Sequence, residues 1–384
     1  MKKIFYCLLM VLALGSCKGG SSVADCMPDS FDRSALLTNW ADNIIIPSYT
    51  LYVDELTSLQ TAKDVFIETP NEQNLVLLRT EWLEAYIVWQ NVSIYEIGKA
   101  ENIRLRDYTN TFNVPHVKDE PETDKLTGEF VEENISSGSY DLTLSTQLRS
   151  QGFPALDYLL NGLGDTDAEI LLKYTSDENA AKYTLYLDDV SNRLLSMGAE
   201  VMTDWNNGYR NTFITNDCNA STSSLNKLTN DLIFNLEKAT RSAQIGTPIG
   251  YLGEPVVIPE KVQAFYKQDV SKVLLIASLT ASKNLFNGKH LNSDTVGESL
   301  KSYLDELQIT AVGNDLSIVL DTYYEEAISE AQKLDENFYE GISQVDIEKY
   351  RDIRESIHLI IEVLKTNMIS ALDIKADYSD SDGD

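Results

Sequence analysis

Apolar residues recur at helical spacing along almost the whole chain. A typical example follows Asn71, where apolar residues return every three or four positions as far as Ile97. Asp177 or Glu178 precedes another long pattern that extends to about Trp205, as expected for helix-capping residues. Helices are predicted over residues 31–66, 71–97, 177–205, 223–239, 262–286, 297–308, 314–333 and 345–372.

Two stretches lack this periodicity and are predicted as long loops. Residues 99–125 are polar and contain two prolines, and residues 241–260 contain several glycines and prolines. The only strand-like run is the short VVIP at 256–259. The pattern therefore predicts an all-α protein with long helices packed as bundles. A polar stretch at 206–222 divides the chain into two predicted helical-bundle domains, residues 31–215 and 216–384.

The amino terminus has the features of an export signal. Lys2 and Lys3 precede an apolar run that is shorter than a membrane-spanning helix, and small residues then lead to Cys17. Residues 1–16 are interpreted as a lipoprotein signal peptide, with Cys17 as the lipidated residue. A plain signal peptide with an incidental cysteine is the alternative. Residues 17–30 are predicted as a flexible tether. Lys18 favours the outer membrane, in its periplasmic or surface leaflet.

The net charge limits the classes of partner, and the cysteines raise the question of a disulfide. The net charge of −29 repels nucleic-acid phosphates, so nucleic-acid binding is excluded, while the expected membrane contact is made through the lipid anchor. Cys26 and Cys218 remain after lipidation, in an oxidising compartment. They form either one disulfide or two free thiols.

The usual catalytic motifs are missing from the sequence. The three histidines, His116, His290 and His358, have no zinc-protease spacing. No nucleophile elbow and no glycine-rich phosphate loop occurs. The residues alone therefore indicate no cofactor, no catalytic group and no metal ligand.

One stretch, QGFPALDYLLNGLG at 151–164, is unusual. Pro154 and Asp157 lie among apolar residues at helical spacing. Proline is tolerated in the first turn of a helix, so one interpretation is a helix start packed into a core. The other interpretation is the remains of a chemical site.

Several segments together resemble the imelysin family. They are FDRSALLTNWADNIIIPSYTLY at the start of the mature chain, RTEWLEAYIVWQNVSIYEIGKA, QGFPALDYLLNG and YTLYLDDVSNRLLSMGAEVMTDWNNGYRNTF. The resemblance implies two helical-bundle domains, an envelope location and an association with iron acquisition. It also implies a G-x-H-x-x-E signature, whose histidine and glutamate act as metal ligands or as a catalytic pair in a pocket near the domain interface.

This chain keeps only part of that signature. Gly152 matches the glycine, whereas Pro154 occupies the histidine position and Asp157 the glutamate position. Proline offers no ligand atom in its side chain, and Asp157 alone cannot build a zinc site. Peptidase activity by the implied route is therefore not expected.

Three functions remain open on the sequence. The leading hypothesis is a non-enzymatic, lipid-anchored envelope protein that binds an iron or haem species, or a protein of an uptake system. The first alternative is a metal-dependent peptidase that uses other ligands. The second is a structural lipoprotein that acts in surface interactions. A polar pocket beside Asp157 would favour ligand binding, and a filled core there would favour the structural role.

Overall fold

Helices form nearly all of the regular backbone in the computed structural model, which describes residues 30–111, 125–251, 256–311, 313–343 and 347–377. The predicted signal peptide, Cys17, Cys26 and almost all of the tether lie outside these residues. The helices of the first part are α1 (Arg33–Asn39), α2 (Ile46–Glu68), α3 (Glu72–Val92), α4 (Lys99–Ile103), α5 (Leu105–Asn110), α6 (Thr127–Ser137), α7 (Gly152–Asp157), α8 (Asp167–Thr175), α9 (Ala180–Asp204) and α10 (Arg210–Thr215).

The second part continues with α11 (Ser224–Phe234), α12 (Ser271–Asn287), α13 (Leu300–Glu306), α14 (Leu316–Gln332), α15 (Phe338–Ser343), α16 (Glu348–Val363) and α17 (Ile369–Ala371). Strands β1 (Thr310–Ala311) and β2 (Asn314–Asp315) pair antiparallel. This composition confirms the predicted all-α class. Within the described residues, no helix is both long enough and apolar enough to cross a bilayer.

Wider helical turns extend several helices. π-Helical segments lie at Trp40–Ile45, Tyr158–Gly162, Trp205–Tyr209, Asn235–Gly246 and Leu364–Met368, and 3₁₀ turns lie at Ser145–Ser150 and Pro259–Lys261. The first π segment joins α1 to α2 just before Pro47. A proline ring clashes with the carbonyl of an ordinary α-turn, and the wider turn precedes it here. Pro47 thus lies in the first turn of α2, where a proline is tolerated.

The core is formed by two helix groups in contact. α2 packs against α3 and α9, and α14 packs against α12 and α16, while α12 also contacts α3. Hydrogen bonds cross between the groups: the Trp40 indole Nε1 donates to the Leu285 carbonyl at 3.2 Å, and Asn39 donates to the Gly288 carbonyl at 3.0 Å. The buried apolar residues form one cluster from Phe31 to Ile374. The division into domains 31–215 and 216–384 remains a prediction.

The two predicted loops were partly wrong. Residues 99–125 contain α4 and α5, which pack through buried Ala100, Leu105 and Tyr108. Left-handed backbone at Gly98 and Arg104 breaks this segment into pieces too short for a clear periodicity. The predicted loop at 241–260 begins within the π-helical segment that ends at Gly246. The helix predicted from residue 262 begins only at Ser271, because turns occupy the residues before it.

Candidate functional site

Pro154 lies in the first turn of α7, which begins at Gly152. The first four amide groups of a helix have no partner inside the helix, so a proline at this position removes no helical hydrogen bond. Pro154 is buried. The five apolar residues of the predicted helical face are buried as well, namely Phe153, Leu156, Leu159, Leu160 and Leu163. The proline therefore serves a helix start inside the core.

Gly152 is required by both its conformation and its surroundings. Its φ of +74° lies in the left-handed region, which glycine adopts without strain. A Cβ atom here would lie 2.1 Å from the carbonyl oxygen of Thr109, closer than any real contact. The start of α7 thus packs directly against the backbone at the end of α5.

Phe153 holds the start of α7 against α3. Its ring stacks on Tyr86, with 4.4 Å between centroids and 4° between planes. The Trp82 indole Nε1 donates to the Phe153 carbonyl at 3.3 Å. The motif segment is thereby fixed to α3 by ring contacts and a backbone hydrogen bond.

Asp157 is buried, with 2% of its surface exposed, and accepts three hydrogen bonds. The backbone amide of Tyr266 donates to Oδ2 at 2.9 Å, and that of Lys267 donates to Oδ1 at 2.9 Å. The side chain of Asn161 donates to Oδ1 at 3.1 Å. The carboxylate therefore links α7 to the turn that precedes α12, 109 residues further along the chain.

Burial and hydrogen bonding shift the pKa of Asp157 in opposite directions. Burial raises the pKa of its carboxyl group to about 7, because removal from water disfavours the charged form. The amide groups of Tyr266 and Lys267 and the side chain of Asn161 favour the charged form and lower the pKa. Burial is the larger effect.

The turn held by Asp157 is packed from several sides. Its backbone is left-handed at Ala264 and Gln268, on either side of the two donating amides. The Tyr266 hydroxyl accepts a hydrogen bond from the Gly128 amide at 3.0 Å, and the Tyr266 ring meets Tyr158 edge-on at 4.9 Å. Both carboxylate oxygens of Asp157 are thus engaged by structural donors inside packed protein.

This arrangement does not provide a metal centre. No group of three or more histidine, cysteine, aspartate or glutamate residues in the described parts of the chain could hold a metal ion. Asp157 is surrounded by N–H donors rather than by other ligand atoms. What the geometry does provide is a structural bond between two distant segments.

The other predicted site residues lie apart from this region. His116 lies outside the described residues, as do Cys17 and Cys26. Cys218 takes part in a disulfide, and its predicted pairing with Cys26 remains a prediction. His358 Nδ1 lies 2.9 Å from an Arg241 guanidinium nitrogen, and His290 belongs to the loop after α12.

Sequence reasoning missed a buried polar cluster beside the motif. The Tyr86 hydroxyl donates to Asn110 Oδ1 at 2.5 Å and accepts from Gln263 Nε2 at 2.8 Å. A small cavity of about 10 Å³ lies nearby, and Arg106 and Asn235 contribute to its lining. That volume holds about one water molecule. No sequence motif marks these residues, because they come from separate helices.

Arg106 carries the charge at this cluster. Its backbone amide donates to Glu96 Oε2 at 3.0 Å, and its Nε donates to the Ser93 carbonyl at 2.9 Å. Burial raises the pKa of Glu96 to about 7, although Arg106 acts to lower it. Burial also raises the pKa of Asp231, 3.9 Å from Arg106. The cluster is thus polar and buried, with two acids, Glu96 and Asp231, beside the single cation of Arg106.

The family model of imelysin, peptidase M75, matches residues 45–357. The chain belongs to the imelysin family. This confirms the resemblance stated from the sequence. No curated protein sequence matches the chain.

Solved structures support the same fold. An imelysin-like protein from Psychrobacter arcticum 273-4 is 17% identical and has a TM-score of 0.69, with 90% of this chain and 97% of that chain covered. A protein from Parabacteroides distasonis ATCC 8503, named as an iron-regulated protein A precursor, is 16% identical with a TM-score of 0.69. That match covers 91% of this chain and 96% of the other. At these identities, the likeness concerns the fold.

Proposed function

We propose that this imelysin-family chain is a non-enzymatic, lipid-anchored protein of the cell envelope with a binding role in the acquisition of iron or haem. The non-enzymatic part of this proposal rests on the hydrogen bonds of Asp157. Its two carboxylate oxygens accept hydrogen bonds from Tyr266, Lys267 and Asn161, and the adjacent histidine position of the family signature is Pro154.

The burial of Asp157 also argues against a catalytic or metal-binding role for the motif. A general acid, a base or a metal ligand needs an atom that can reach a substrate or an ion. Asp157 is 2% exposed, and its hydrogen bonds to backbone amides hold the turn before α12. Using it in a reaction would require the chain to give up those bonds.

The iron-related and envelope parts rest on other grounds. The Parabacteroides protein of the same fold is named as iron-regulated and as a precursor, a term used for exported proteins. The sequence up to Cys17 has the pattern of a lipoprotein signal. Lipid labelling in cells tests the anchor: wild-type protein should incorporate radioactive palmitate, and Cys17→Ala should not. Equal labelling of both would refute lipidation at Cys17.

Binding and growth together test the iron role. The purified mature protein should bind ferric iron, haemin or a component of an iron-uptake system in calorimetric titrations. A deletion strain should grow more slowly than its parent on limiting iron and recover with the plasmid-borne gene. The role fails if none of these species binds and the deletion leaves growth on limiting iron unchanged.

The packing at the motif also favours a second candidate, a structural lipoprotein that contacts other surface proteins. The region beside Asp157 is filled by side chains and backbone, as this role requires. Normal growth on limiting iron combined with loss of envelope integrity in the deletion strain would favour it. A peptidase with other ligands has less support, since the described residues contain no metal-binding group of acids and histidines.

A further inference from the structure

A groove of about 550 Å³ opens on the side of the molecule where α2 and α3 face α12. Residues 289–294, in the loop after α12, also line it. The volume is within the range of sites that bind small organic molecules. Asp157 and the polar cluster at Arg106 do not line this groove, so it is separate from the family motif.

The walls of the groove are aliphatic. α2 and α3, with the π segment before α2, contribute Ile44, Leu51, Ile87 and Val88, while α12 contributes Val273 and Ile276 from the other side. The chain contains 20 tyrosines, 11 phenylalanines and 4 tryptophans. Among those that the structure describes, only Tyr95 lines the groove. Flat aromatic ligands are usually held by aromatic rings. Aliphatic walls on both sides suit a flexible hydrocarbon chain.

The polar end of the groove, formed by residues 289–294, contains both Lys289 and Asp294. Lys289 lies there, 3.1 Å from Asp294 in an ion pair whose acid is fully exposed. Such exposed pairs contribute little, so Lys289 can exchange Asp294 for another carboxylate at small cost. The imidazole of His290 and the amide of Asn284 form no hydrogen bond with any described side chain or backbone group. These groups are available to a ligand.

The loop that carries these groups is fixed to the helices. The Leu291 amide donates to the Asn43 carbonyl at 3.0 Å, and the His290 amide donates to the Thr295 carbonyl at 2.9 Å. The Gly297 amide donates to the Gly288 carbonyl at 2.9 Å. The polar end is therefore positioned before any ligand arrives, which lowers the entropic cost of binding.

We propose that this groove binds a free fatty acid, with its aliphatic tail between α3 and α12 and its carboxylate at Lys289 and His290. The apolar walls bury the tail, and the single charge of the head replaces exposed Asp294 as the partner of Lys289. Phospholipids contain the same acyl chains, but their bulky headgroup does not match this one-lysine end. The inference is independent of the iron role.

Chain length gives the most direct test. The mature protein is titrated with octanoate, decanoate and dodecanoate below their micelle concentrations, by isothermal calorimetry. Each added methylene buried in the groove should tighten binding by roughly fourfold. Absence of binding, or an affinity that does not change with chain length, would overturn the proposal.

Blocking the groove tests whether the fatty acid binds there. Ala277 lines the groove on α12, so Ala277→Trp should abolish dodecanoate binding. Ala181 is an exposed alanine on α9, and Ala181→Trp is the matched control that should bind normally. Equal binding by both variants would place the ligand elsewhere and overturn the proposal.

The head group is tested by a milder change that leaves the helices intact. Lys289→Ala should weaken dodecanoate binding at least fivefold and leave binding of dodecanol unchanged, because only the carboxylate needs the lysine. This comparison also decides the matter if Ala277→Trp fails to fold. An equal effect on both ligands, or binding to phosphatidylglycerol vesicles without binding of dodecanoate, would overturn the fatty-acid assignment.

Discussion

At the residue scale, Asp157 is best understood as the acceptor for a distant turn. In Asp157→Asn, a nitrogen that cannot accept replaces one oxygen that faces a backbone N–H. Both oxygens of the carboxyl group can accept whether or not it is protonated, so the variant loses one hydrogen bond. We expect a loss of about 1–3 kcal/mol in the free energy of unfolding at pH 5. Urea denaturation followed by circular dichroism measures it. Asp165→Asn, at an exposed aspartate, is the matched control and should change stability by under about 0.5 kcal/mol.

The raised pKa of Asp157 predicts a pH dependence. The folded pKa is about 7 against an ordinary value of 3.8, so the folded state holds this proton more tightly than the unfolded state. The resulting stabilisation is complete below about pH 4 and is lost as the pH rises through 7. Wild type should therefore lose its advantage over Asp157→Asn between about pH 4 and pH 7. A constant or growing difference would contradict this assignment.

Comparing Gly152 with Gly313 separates two losses of folding stability, one from backbone conformation and one from steric collision. Gly152 and Gly313 have similar φ values of +74° and +81°, but a Cβ at Gly313 meets nothing within 4 Å. Gly313→Ala should cost about 1 kcal/mol, the usual penalty for a left-handed alanine. Gly152→Ala should cost clearly more, because its Cβ would collide with the Thr109 carbonyl. Similar denaturation midpoints for the two variants would argue against a tight contact at α7.

At the scale of the helix, capping offers a matched comparison. Asn71 and Asn179 both precede long helices, but only Asn71 accepts a hydrogen bond from a helix amide, that of Asn74 at 2.9 Å. Asn71→Ala should therefore cost about 1 kcal/mol. Asn179→Ala should lower the free energy of unfolding by less than half of that amount. The two unfolding free energies, measured in urea, would be equal if caps did not contribute as described.

The helices that sequence periodicity predicted best are those with long apolar faces and clear first residues. The helices predicted from residues 71 and 223 correspond to α3 and α11, which begin one residue later. The side chains of Asn71 and Ser223 cap these helices. α4 and α5 were missed because each is about one or two turns long and begins or ends at left-handed backbone. Local spacing carries too little signal in segments of that length.

At the scale of the whole molecule, the sequence predicted the all-α class and the family, but not the site. The segment around Pro154 and Asp157 was identified as unusual from its composition alone. The partners of Asp157 could not be foreseen, because they are backbone amides 109 and 110 residues away. The groove at Lys289 likewise joins residues from α2, α3 and α12, which only the packing brings together.

We propose that the altered family motif in this imelysin-family chain is a structural link and not a catalytic centre. Metal-dependent cleavage of a fluorogenic peptide library by the purified mature protein tests it most directly, with zinc, manganese or ferrous iron added and with chelator-treated protein as the control. We expect no cleavage above the chelator control. Cleavage that the metal restores and that Asp157→Asn abolishes in a folded protein would contradict it.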